Sequence, residues 1–137
     1  MKSSLTSVCI CMAIVCYLIG CSNKPKKQTP EQTLLGKWQY ERLERGVNTT
    51  EEEAAKMDKD NRGHTVRFDK DGKYLSMRTA IDTTETGNYW IIGNGEKVVT
   101  KKTGGLRSDT ILIAELTQTV IRVKTPEGDV YILKKIE

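Results

Sequence analysis

Beyond residue 21 the chain has no cysteine, and over its whole length it has one histidine, one phenylalanine and three prolines. Whatever folds past that point does so without a disulfide framework and without the Cys/His sets that hold structural zinc. No Gly-x-Ser-x-Gly turn or comparable nucleophile motif occurs. His64, the lone histidine, offers little to acid–base chemistry and reads as a surface or rim residue at a strand entrance, so no enzyme is expected. The stretch Asp58 to Gly63 has the start of a calcium-loop spacing, with Gly63 sixth and Asp69 twelfth. However, Arg62 takes a ligand position and the twelfth residue is not Glu, so a solvated loop is the reading and neither metal nor cofactor is expected. Excess charge is also missing where it would matter. The formal charge is +4, but Lys2, Lys24, Lys26 and Lys27 all precede Glu31. From there to Glu137, 18 Lys and Arg face 18 Asp and Glu, a balance that gives no field for nucleic acid.

No hydrophobic run is long enough to span a bilayer. The longest is the 12 residues from Val8 to Ile19, where a spanning helix needs about 20. With Lys2 ahead of it, that run has the form of an export signal over residues 1–20. Its end, Leu18-Ile19-Gly20-Cys21, resembles the lipobox of bacterial lipoproteins. The resemblance implies lipid transfer to the Cys21 thiol, cleavage after Gly20 and acylation of the new amino terminus, palmitate included. Several acyl chains on one residue exceed what stable anchoring requires. Ser22, in the place where Asp retains such proteins at the inner membrane, points to the outer membrane, and the lack of an acidic run after Cys21 points to its periplasmic face. Cys9, Cys11 and Cys16 would leave with the signal. Residues 21–30 read as a lipidated Cys followed by a polar tether. Nine extended residues reach ~30 Å, and the tether lysines could be drawn to anionic lipid or could simply solvate it.

Residues 31–137 suit one domain with a modest core. Eight runs of β-branched and aromatic residues are separated by turn chemistry: 36–43, 63–69, 73–81, 87–92, 97–102, 110–116, 119–125 and 129–136. Joins such as Asp69-Lys70-Asp71-Gly72 and Gly93-Asn94-Gly95-Glu96 are too short for anything but antiparallel pairing. One interruption, Arg45 to Arg62, contains Thr49-Thr50-Glu51-Glu52-Glu53, an acidic helix start, and predicts one short helix after the first strand. A meander that wide leaves unpaired edges unless it closes, so the fold predicted is all-β, an eight-stranded antiparallel up-and-down barrel.

Gly36-Lys37-Trp38 at the start of the first strand is similar to the Gly-x-Trp signature of the lipocalin superfamily. Phe68-Asp69-Lys70-Asp71-Gly72-Lys73-Tyr74, then Gly87-Asn88-Tyr89-Trp90, look like the small lipocalin-like domains of Gram-negative cell-envelope lipoproteins. The resemblance implies that Trp38 closes the barrel base under a cation from the last strand, Lys134 or Lys135. Period-two alternation from Trp38 then gives the candidate lining: Trp38 and Tyr40, Val66 and Phe68, Tyr74 and Ser76, Tyr89 and Ile91. Val98, Leu112, Ala114, Ile121, Val123, Ile132 and Arg78 extend it around the barrel. Buried phenols need partners, so Tyr40, Tyr74 and Tyr89 are candidates to orient the polar end of a ligand.

Two functions follow from this reading. One is non-catalytic binding of a small hydrophobic or amphipathic molecule. The other is a filled barrel that contacts an envelope protein through exposed residues such as Leu75, Met77 and Trp90. Asp82-Thr83-Thr84 and Asp109-Thr110-Ile111 also resemble tripeptides O-glycosylated in some envelope bacteria, which makes Thr83 and Thr110 candidate acceptors.

Overall fold

A computed structural model describes residues 26–137. The segment expected to be an export signal, Cys21 and the first part of the expected tether lie outside the described residues. Eight strands run in sequence order and close on themselves: β1 (Gly36–Glu44), β2 (Thr65–Phe68), β3 (Lys73–Arg78), β4 (Thr83–Ile92), β5 (Lys97–Lys102), β6 (Asp109–Leu116), β7 (Val120–Lys124) and β8 (Val130–Lys135). Every neighbouring pair is antiparallel, and β1 pairs with β8, Trp38 opposite Lys135, to complete the cylinder. Closure removes the free edges that an eight-strand meander would otherwise expose.

Among the described residues two α-helices accompany the barrel, one more than the sequence reading has there. The one after β1, α2 (Glu51–Asn61), is capped as its sequence requires: the Thr50 hydroxyl accepts from the Glu53 N–H, and the Glu53 carboxylate accepts from the Thr50 N–H. The Thr50 backbone N–H and, after it, the Thr50 hydroxyl both donate to the Glu53 carboxylate and hold it below its usual range. The segment 58–61, read from sequence as solvated loop, is the last turn of this helix. The additional helix, α1 (Pro30–Leu34), precedes β1 and has its own capping box, Thr29 with Gln32, and Pro at its first position. Five residues are too few to show helical periodicity, so only the cap could have announced it.

α1 seals one end of the barrel. Leu34 and Trp38 have no exposed surface, and the Trp38 indole N–H donates to the Leu34 carbonyl at 2.8 Å. Of the two cations considered for the last strand, Lys135 is the one above the indole ring, 4.8 Å from its centroid, and it also donates to the Thr33 carbonyl. Lys134 points outward to Glu41. Gly36 is required where the chain turns into β1: its φ is +115°, and a Cβ there would collide with the Glu137 carbonyl oxygen.

The inner face holds a core of Leu34, Trp38, Phe68, Val98, Ile121 and Leu133, with Tyr89 and Ile91 packed against it. Phe68 and Tyr89 meet edge to face at 4.9 Å. Gly87 lies on the same inner face, where a Cβ would strike the Lys101 carbonyl and crowd the Tyr74 ring. In β6 the inward residues are Ile111 and Ile113, not Leu112 and Ala114, and Leu112 is 37% exposed. In β8 they are Tyr131 and Leu133, not Ile132. Both strands carry apolar residues at both parities, so alternation alone does not fix their phase.

Candidate functional site

Above the sealed base the barrel is hollow. A cavity of about 370 Å³ runs from Leu34 toward the open end formed by the β1–α2, β3–β4, β5–β6 and β7–β8 connections. That volume lies within the range of small-molecule sites.

The lower wall is apolar: Val66 and Phe68 from β2, Val98 from β5, Ile111 and Ile113 from β6, and Leu133 from β8. The upper wall is polar, with His64, Ser76, Arg78, Glu85, Thr100 and Asp109 facing the same space. This division follows from alternation in strands whose inward residues change character along their length. On β3 the inward series is Tyr74, Ser76, Arg78, and on β4 it begins at Glu85.

The phenols are already engaged. Tyr40 donates to the Asp58 carboxylate on α2 at 2.6 Å, Tyr74 to the Glu85 carboxylate at 2.6 Å, and Tyr89 to the Asp69 carbonyl at 2.8 Å. Burial, then the neighbouring carboxylate, pushes the Tyr40 and Tyr74 phenols well above their usual range. Glu85 also lies 3.5 Å from the Lys102 ammonium at the rim. The His64 Nε2 is 2.9 Å from the Ser76 hydroxyl, and burial followed by the Arg78 charge lowers its pKa to about 4. His64 is therefore neutral at physiological pH. Arg78 faces the cavity without an ion pair among the described residues.

The contact between His64 and Ser76 has the spacing of a nucleophile and its base, but the chemistry opposes that role. Burial of the ring, and after it the Arg78 guanidinium nearby, lowers its basicity, and no carboxylate is hydrogen-bonded to its Nδ1 among the described residues. Among those residues no group of three His, Cys, Asp or Glu side chains is placed to hold a metal ion.

Of the candidate lining residues, Tyr40, Val66, Phe68, Tyr74 and Ser76 border the cavity. Trp38, Tyr89 and Ile91 lie in the core at and near the base instead. Val98, Ile121, Val123 and Arg78 also border it. Sequence reasoning missed His64 as a cavity group, and also Asn61, Glu85, Thr100, Asp109 and Tyr131. Glu85 was within reach: it sits two residues before Gly87 in the same inward series, but the polar Thr83 to Thr86 stretch does not announce a strand.

The cylinder, its plug and its hollow define a class: the domain has a lipocalin-like fold. The chain is similar in structure to a lipocalin-like protein from Bacteroides uniformis, with a TM-score of 0.54 and 21% identity, covering 76% of this chain and 99% of that one. It is likewise similar to an uncharacterized protein from Bacteroides eggerthii, with a TM-score of 0.53 and 17% identity over 75% of this chain and 99% of that one. No protein-family model and no curated protein matches the sequence.

Proposed function

We propose that this protein is a non-catalytic binder of a small amphipathic molecule, held at the membrane of the cell envelope by lipid on Cys21. The observation that carries the reading is the hollow barrel interior, about 370 Å³, with an apolar lower wall and a polar, charged upper wall. A hydrocarbon or ring system in the lower part would remove apolar surface from water at roughly 25 cal/mol per Å². A polar head at the upper end would find Arg78, Ser76 and Glu85 as partners. The alternative, a filled barrel serving only as a protein contact, has no comparable support, because the interior is not filled.

The anchor proposal rests on the lipobox resemblance at Leu18 to Cys21 and on the polar stretch after it. It would put the barrel on a short tether, with Ser22 favouring the outer membrane and its periplasmic face. Carrier function suits that arrangement, since a tethered cup exchanges ligand with the membrane without leaving it.

Native mass spectrometry of the protein recovered from the envelope of an exporting bacterium tests the binding reading. A discrete adduct that leaves on mild activation is expected. Bare protein under conditions that preserve other non-covalent complexes would refute it. In the same preparation, Cys21→Ser should lose the acyl mass and, because cleavage follows lipid transfer, keep its signal segment, and acylation or cleavage after Gly20 that survives the substitution would overturn the anchor.

A further inference from the structure

The outside of the barrel is electrically divided. Around β7, β8 and β1, outward cations and carboxylates pair with each other: Arg122 engages Glu44 and lies 3.8 Å from Glu115, Arg42 bonds Glu41 at 2.9 Å and Glu44 at 3.2 Å, and Lys134 engages Glu41. Ile132 lies on this face, between Arg42 and Arg122 in register, and is only 2% exposed despite pointing outward.

Around β3, β4 and β5 no outward position holds a carboxylate. Lys73, Lys97 and Lys101 are exposed there and make no ion pair among the described residues. Between them stand Trp90 and Ile92, 43% and 42% exposed, and beside them on β6 Leu112, opposite the unpaired Lys124. Acidic groups return only outside this patch. Glu115 faces Arg122, while Asp71, Asp82 and Glu96 sit in the turns at the two ends.

We propose that this acid-free face docks on an anionic lipid surface. Unpaired lysines spread along three strands suit a diffuse sheet of negative headgroups, since each ammonium keeps its water while its stem covers apolar surface. An indole with its apolar body and N–H is suited to the headgroup level. A protein partner of equal charge would need carboxylates matched one by one to widely spaced lysines. Laid on this wall, the barrel axis runs along the membrane. The rim residues Arg78 and Lys102, which end β3 and β5, then lie at headgroup depth beside the cavity mouth. The docking itself does not depend on ligand binding. If the cavity proves empty, the face can still bind lipid, and the two readings fail separately.

The test uses the full chain reconstituted into vesicles of phosphatidylcholine alone or mixed with phosphatidylglycerol, with brominated acyl chains as quencher. Trp38 has no exposed surface and serves as the internal reference, so quenching reports Trp90. Quenching in phosphatidylglycerol-containing vesicles is expected, with little in phosphatidylcholine alone, and Trp90→Phe should abolish it. Each of Lys73→Gln, Lys97→Gln and Lys101→Gln should lower the docked-to-free ratio about five-fold, and added salt should do the same. Lys134→Gln on the opposite wall should leave it unchanged. Quenching that is absent from phosphatidylglycerol vesicles, equal in both compositions, or indifferent to the Lys97 and Lys101 changes would overturn the proposal. Pull-down of an acidic envelope protein without quenching would assign the face to that partner instead.

Discussion

At the base of the barrel nearly every group serves closure, whereas at the mouth polar and charged groups are held around an empty space. Trp38, Leu34 and Lys135 bury one another, and the indole N–H, the ammonium and two α1 carbonyls satisfy each other. At the other end Asp129, 1% exposed, is also fully engaged, accepting from the Gly46 N–H and the Thr49 hydroxyl at 2.7 Å each and so tying the β1–α2 loop to the β7–β8 turn. Inside that tied rim, however, Arg78 and Asp109 have no ion pair among the described residues. Stability resides mainly at one end and chemical availability at the other, an arrangement expected of a cup whose contents change.

Substitutions at the two ends should separate these roles. Trp38→Ala removes the plug and leaves a cavity that α1 cannot fill, so a loss of about 3–5 kcal/mol in urea unfolding is expected. A much smaller loss would mean that the base does not hold the barrel together. His64 comes next. Its folded pKa, about 4, lies below the ordinary 6.5, so between those values the unfolded chain binds more protons than the folded one. Stability should fall as pH drops from 6.5 toward 4 and level off below that, by up to about 3 kcal/mol from this group. His64→Gln should flatten that part of the profile, and an unchanged slope would contradict the burial described for the ring. Arg78→Ala should have the smallest effect on folding, within about 0.5 kcal/mol, while lowering affinity for an acidic amphiphile about tenfold or more. Equal losses of stability and affinity would make Arg78 a structural residue.

Much of this architecture can be read in the sequence, because strand runs, turn residues and the Thr50/Glu53 cap are local signals. Trp38 is placed by the resemblance to the Gly-x-Trp signature, and the structure supplies the reason for its glycine, a φ of +115° at Gly36. The phase of β6 and β8 is not legible. Ile111-Leu112-Ile113-Ala114 and Tyr131-Ile132-Leu133 offer apolar residues to both faces, and what selects one face is the register against the neighbouring strands. Ile132 shows the limit clearly: a salt-bridge network supplied by β1 and β7 lies around it, and no alternation rule anticipates an apolar residue buried on the outside. The polar half of the cavity was hidden for a related reason. Glu85 and Asp109 lie at strand starts that read as turn, and their inward direction appears only once the cylinder closes.

The most direct test of the central claim is titration of the protein with an environment-sensitive fluorescent fatty amphiphile, beside a variant in which Ile111→Trp fills the cavity. Saturable one-to-one binding by the parent chain is expected, lost in a variant whose thermal unfolding shows that it still folds. Binding that persists unchanged in the folded, filled variant would place the ligand elsewhere and contradict the assignment of the barrel interior as the site.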